Sequence, residues 1–200
     1  MFYTEYKEAA ERHLEVCFQL EKLLIHYQKV ENGRTLTNKE AKEKLQLLSD
    51  LYYLSGYIIE CSYNYAIYKH ISYPNTEPVK NLKPANWAIY GISVNNMNVS
   101  YRSITNGGNS STFLICRPDH KLDCSMHFFA SSTHGGNLAL PIPLLDGNNV
   151  ARPCTDLFQN WGAEIRYTID SSLNLDYDNV FDFLYLALEI IEGLKTNSMI

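Results

Sequence analysis

The chain has 200 residues, 46% of them hydrophobic, which suits one domain over residues 1–200 with a core that needs no disulfides. A formal net charge of −5 argues against broad nucleic-acid binding driven by excess positive charge, while leaving room for a local basic patch. No apolar run approaches bilayer-spanning length, the opening Met1-Phe2-Tyr3-Thr4-Glu5-Tyr6-Lys7 is polar, and five cysteines follow no pairing rhythm, so the expected setting is cytoplasmic and reduced, with no membrane.

The first predicted element is a helix over residues 4–27. Ala9, Ala10, Leu14, Cys17, Phe18, Leu20, Leu24 and Ile25 recur at close to helical spacing and mark one apolar face. Thr4 is the expected cap, and Glu31-Asn32-Gly33 punctuates the end. A second, longer helix starts after Thr37. Leu45, Leu48, Tyr52, Ile59, Tyr63 and Ile67 form its stripe, widened by Leu47, Leu51, Leu54 and Ile58. Gly56 sits mid-helix, where it costs about 1 kcal/mol against alanine, and a glycine retained there usually allows a neighbouring helix to approach closely. Pro74 and Pro78 end the helix. The 15 tyrosines fall largely on these stripes, as half-buried rings with wet hydroxyls.

Residues 76–154 hold most of the glycines and six of the seven prolines. Val99-Ser100-Tyr101-Arg102-Ser103-Ile104 alternates, Asn106-Gly107-Gly108-Asn109 turns, and Ser111-Thr112-Phe113-Leu114-Ile115-Cys116 follows, which reads as a small β-hairpin. A helix over 122–130 is equally compatible with the pattern. The last predicted helix is capped by Asp176 or Asp178. Val180, Phe181, Leu184, Leu186, Ala187, Leu188, Ile190 and Ile191 form its apolar set. Two long helices early and one late must bury their faces against each other. The expected fold is therefore all-α, an up-and-down antiparallel helical bundle with an irregular insertion at about 76–130.

Several short elements then resemble those of HEPN domains, the prokaryotic and eukaryotic nucleotide-binding family. They are Arg12-His13-Leu14 on the first helix and Leu54-Ser55-Gly56-Tyr57 with Glu60-Cys61 on the second. Next come His134-Gly135-Gly136-Asn137-Leu138, and then Asn160-Trp161-Gly162-Ala163-Glu164-Ile165-Arg166-Tyr167 ahead of the closing helix. The resemblance covers both ends of the chain and leaves about 76–130 uncovered. It implies a dimeric helical bundle that binds a nucleotide or RNA, partners a nucleotidyltransferase-type protein, or serves in a defence or toxin–antitoxin system. Many members are ribonucleases carrying Arg, four to six residues, then His. There the histidine moves the proton of a 2′-hydroxyl and the arginine stabilises the charged phosphorane. None of the six arginines here stands in that relation to any of the six histidines.

Candidate site residues follow from the same elements. Arg166 can reach a phosphate, and Tyr167 can stack or hydrogen-bond, with Trp161 and Asn137 as further ligand contacts. The plain alternative pairs Arg166 with Glu60, since an acid on a mostly apolar helix needs a partner, a service Arg12 could also perform. The glycines after His134 would let backbone N–H groups approach an anion at a helix start, although no Lys-Ser/Thr follows to make a P-loop. If the chain is a nuclease, Arg166, His134 and Glu60 are its catalytic candidates.

The stretch "CRPDHKLDCSMH", residues 116–127, spaces Cys116, His120, Cys124 and His127 as C-x3-H-x3-C-x2-H. On one straight helix these would span about 16 Å, at 1.5 Å per residue, too far for one ion. Only a loop folded back at Pro118-Asp119 would make a zinc site. Otherwise the cysteines are small buried apolar residues and the histidines lie at the surface. The reading favoured here is an interaction or nucleotide-binding module without cofactor or metal. A ribonuclease and a zinc-binding protein are the alternatives.

Overall fold

The computed structural model describes residues 1–90, Leu122, 151–162, Ile165, 173–196, Ser198 and Ile200. Among them the regular structure is entirely helical. We label the helices α1 (Thr4–Gly33), α2 (Asn38–His70), the short α3 (Thr155–Gln159) and α4 (Tyr177–Thr196). Short 3-10 turns lie at Val79–Asn81 and Pro84–Tyr90. The expected hairpin over 99–116, the alternative helix over 122–130 and the zinc stretch lie outside the described residues, apart from Leu122, which is helical and buried.

α1 buries Tyr6, Ala10, Cys17 and Leu24, at offsets of four and seven that keep one stripe inward. It is two turns longer than its periodicity suggested, running through Asn32 and Gly33. Its cap also differs from expectation. Tyr3 takes the cap position without a side-chain bond, and Thr4 is already helical. The Glu5 carboxylate accepts the Phe2 N–H at 3.0 Å instead, so an acid in the first turn satisfies a donor a threonine would otherwise serve. Phe18 and Leu45, counted on apolar stripes, are exposed, Leu45 by 54%.

Arg34 is extended and turns the chain toward α2. Its guanidinium bonds both oxygens of Glu40, at 2.9 and 2.6 Å. Thr37 caps α2 as expected, and does so reciprocally. Its hydroxyl accepts the Glu40 N–H, while the Glu40 carboxylate accepts the Thr37 N–H at 2.8 Å. At its far end α2 stops before either proline. Ser72 adopts a left-handed conformation with φ 55°. Its N–H bonds the Lys69 carbonyl, and the Tyr73 N–H bonds the Tyr68 carbonyl, both at 3.0 Å. The Tyr68 and Tyr73 rings pack together beneath this cap.

The tight link makes α1 and α2 antiparallel. Near the link, Tyr27 donates to Glu43 at 2.7 Å and Lys44 to Glu31 at 2.8 Å. At mid-length His13 meets Tyr57 edge-on. At the far end Tyr3 and Tyr6 stack on Tyr68. α4 opens on Asp176, whose carboxylate accepts the Asn179 N–H at 2.8 Å, which decides between the two expected caps. Tyr177 donates to Glu31, Phe183 packs on Tyr52, and Tyr185 donates to Glu21. These contacts order α4 opposite to α1 and alongside α2 in the same sense. The end of α2 and the start of α4 therefore lie at opposite ends of the bundle. α2 is the central element: residues 58–64 are buried at every position, the pattern of a helix covered on all sides. Tyr52, Tyr63 and Tyr68 are wholly buried rather than half-buried, and the Tyr52 hydroxyl donates to the Leu157 carbonyl at 2.8 Å. No helix among the described residues is long and apolar enough to cross a membrane.

Candidate functional site

The close neighbour of Gly56 is not another helix but one side chain. A Cβ at this position would fall on Nε1, Cδ1 and Cε2 of Trp161. The indole lies flat in the space a side chain would take, and its N–H donates to the Tyr53 carbonyl of α2 at 3.2 Å. Its ring packs on that of Tyr53, which in turn packs on Tyr57. Trp161 is 1% exposed, so this junction fixes where the chain leaves α3. Arg152 fixes where it enters. Its guanidinium bonds Asp182 and Glu189 on α4 at 2.6 and 2.7 Å, and Asp182 also accepts the Cys154 N–H. An arginine occupied by two carboxylates is a clasp and not a phosphate site. Nothing in the local sequence around Arg152 signalled it, because both acids lie 30 or more residues on.

One helical turn beyond Gly56 on the same side of α2 is Glu60, 7% exposed. Burial, followed by the charges of Cys61 and Glu60, pushes the Tyr57 hydroxyl well above its usual range, so it stays a neutral donor. Across from Tyr57, burial and the adjacent Arg12 lower the His13 imidazole, leaving it neutral near pH 7. Burial pushes the Cys17 thiol up to about 12, and it outweighs the bond with Ser55 that acts in the opposite direction. Burial likewise raises Cys154. Neither sulfur offers a thiolate nucleophile. The centre of α2 thus presents a buried acid and a neutral phenol, with the neutral His13 imidazole of α1 against that phenol.

Of the residues singled out from sequence, the structure brings Glu60 and Trp161 to this one stretch of α2. Arg166, Tyr167, His134 and Asn137 lie outside the described residues. Arg12, offered as a partner for Glu60, is exposed on α1. Sequence reasoning missed His13 and Tyr57 as neighbours of the Gly56 turn. Between α3 and the start of α4, a recess of about 330 Å³ is lined by Asp156, Asn160, Asn174 and Asn179 among others. Its carboxamides suit hydrogen bonding to a polar ligand edge. Among the described residues no three His, Cys, Asp or Glu side chains are grouped to hold a metal ion. No family model, no curated protein and no solved structure matches the chain.

Proposed function

We propose that the chain is a HEPN-like module that binds a nucleotide or an RNA phosphate without cleaving it. The observation that carries this reading is the seat of Trp161 on Gly56. It seats Trp161, the first residue of the Trp-x-x-Glu-x-Arg-Tyr element, against the middle of α2, a turn from buried Glu60. Arg166 would be the phosphate contact, with Tyr167 and Asn137 completing the ligand set. The sequence lacks the Arg-to-His spacing of the catalytic members, which supports binding over hydrolysis.

A second reading is a ribonuclease with a non-standard site of Arg166, His134 and Glu60. It is favoured by the burial of a carboxylate on the side of α2 that carries Trp161. One experiment separates them: labelled single-stranded RNA and labelled ATP are offered to wild type, Arg166→Ala and His134→Ala, with and without EDTA. The binding reading expects saturable binding, no cleavage, and about tenfold weaker binding in Arg166→Ala, the worth of a charge-assisted hydrogen bond. Cleavage by wild type and not by His134→Ala selects the nuclease. Neither binding nor cleavage refutes both. The module is also proposed to be a homodimer; Val16 and Leu23, seven residues apart on one face of α1, are exposed and could meet a second copy. Light scattering that gives a monomer at high concentration removes that part.

A further inference from the structure

The recess between α3 and the start of α4, about 330 Å³, falls at the small end of ordinary ligand clefts and exceeds what a bare ion needs. Three carboxamides and one carboxylate make its polar lining, and hydrogen bonds fix which way each amide faces. The Asn160 Nδ2 donates to the Asp156 carbonyl at 2.9 Å. The Asn174 Nδ2 donates to the Asp176 carboxylate at 2.7 Å, and the Asn179 Nδ2 to the Asn174 carbonyl at 3.0 Å. Carbonyls and ionised carboxylates only accept, so none of the three amides can be turned round. In each, the nitrogen serves the protein and the oxygen is the end left for a ligand. Among the described residues no protein donor bonds the Oδ1 of Asn160, Asn174 or Asn179, and no cation pairs with the Asp156 carboxylate. Asn160 and Asn174 each keep one amide hydrogen, so the lining is rich in acceptors and poor in donors.

Charge points the same way. No Lys, Arg or His is among the residues that line the recess. The neighbouring Arg152 is spent on Asp182 and Glu189. Behind the lining, the Asp176 carboxylate holds the amides of both Asn174 and Asn179. The site therefore repels a phosphate and attracts a cation. A calcium ion takes about six to eight oxygens, more than these four side chains with one carboxylate present. Leu157 and Leu173 add an apolar wall that a metal ion would not use.

We propose that this recess binds a primary aliphatic ammonium. Its three N–H donors and lack of acceptors match the amide oxygens and the Asp156 carboxylate, and its carbon chain would lie against Leu157 and Leu173. The phosphate reading rests on other residues, so the two stand or fall separately. Calorimetric titration of the full chain with 1,4-diaminobutane, butylamine, 1,4-butanediol and calcium tests it. Both amines saturate at one equivalent, and the diol, a donor of the same length without charge, binds at least about tenfold more weakly. Calcium binds more weakly than either amine. Asp156→Asn weakens the amines by about fivefold, the scale of an exposed ion pair, and Asp156→Lys abolishes their binding with unchanged circular dichroism. Asp178→Asn, the same charge change on the first turn of α4 outside the lining, leaves affinity unaltered. Absent or many-site amine binding, equal affinity for the diol, tighter binding of calcium, or an Asp178→Asn effect as large as that of Asp156→Asn overturns the proposal.

Discussion

Replacing Gly56 by alanine reverses the ordinary effect of that substitution. In an exposed helix the change stabilises by about 1 kcal/mol. Here the new methyl would stand well inside the roughly 3.5 Å of closest ordinary carbon contact with three indole atoms of Trp161. The ring has little freedom to retreat, because its N–H is bonded to the Tyr53 carbonyl and its face packs on the Tyr53 ring. Overpacking of this kind costs about 1–3 kcal/mol, and expelling a buried tryptophan about 3–5 kcal/mol. Set against the propensity gain, Gly56→Ala is expected to destabilise by about 2–3 kcal/mol, a fall in Tm of about 5–10 °C for a chain of this size. Trp161→Ala alone costs about 3–5 kcal/mol. Added to Trp161→Ala, Gly56→Ala becomes stabilising by up to about 1 kcal/mol, so the double-mutant cycle carries a coupling of about 3 kcal/mol. Urea unfolding followed by circular dichroism measures all four corners. A neutral or stabilising Gly56→Ala in the presence of Trp161, or the same effect in both backgrounds, refutes the seat described here.

Other predictions follow from single contacts. Burial raises the Asp182 carboxyl, but bonds from Arg152 and Cys154 outweigh it and hold it below its usual range. Stability from that pairing is therefore full above the unfolded carboxylate value near pH 4 and is lost as pH falls through the folded one. Arg152, only 11% exposed, should cost about 2 kcal/mol when changed to methionine at pH 7, with the deficit shrinking toward pH 2 in urea titrations; a pH-independent deficit contradicts the assignment. Glu40 is likewise held low by Arg34 and Thr37, so Glu40→Gln flattens the acid limb in the same direction. Thr37→Ala loses the reciprocal cap and about 1 kcal/mol by the same assay. Ser72→Gly relieves a left-handed serine and should gain about 0.5 kcal/mol, whereas Ser72→Ala should not. Cys17, Cys61 and Cys154 are buried, so a thiol reagent should titrate at most two of the five cysteines before unfolding; a third fast thiol disproves that burial. Elemental analysis of the purified chain should find no stoichiometric zinc; one equivalent would revive the Cys116 to His127 reading.

What could be read directly from the sequence was periodicity. α1, α2 and α4 announced themselves because apolar residues recur at helical spacing over several turns, and Thr37 and Asp176 carry cap chemistry within three residues of the groups they serve. The all-α bundle follows, since three amphipathic helices have no other way to bury their faces. Even there, length and caps slipped where local rules are weak. α1 ran past Tyr27 to end at Gly33, and a first-turn glutamate displaced Thr4 from its role.

Tertiary structure alone decided whatever joins residues far apart in the chain. Gly56 promised a close approach, but only the fold names a tryptophan 105 positions later as its occupant. Arg152 finds its acids 30 and 37 residues away. Spacing fixes which residues share a face of one helix. Which faces then meet depends on packing and on the path of the intervening chain, and no local pattern encodes either.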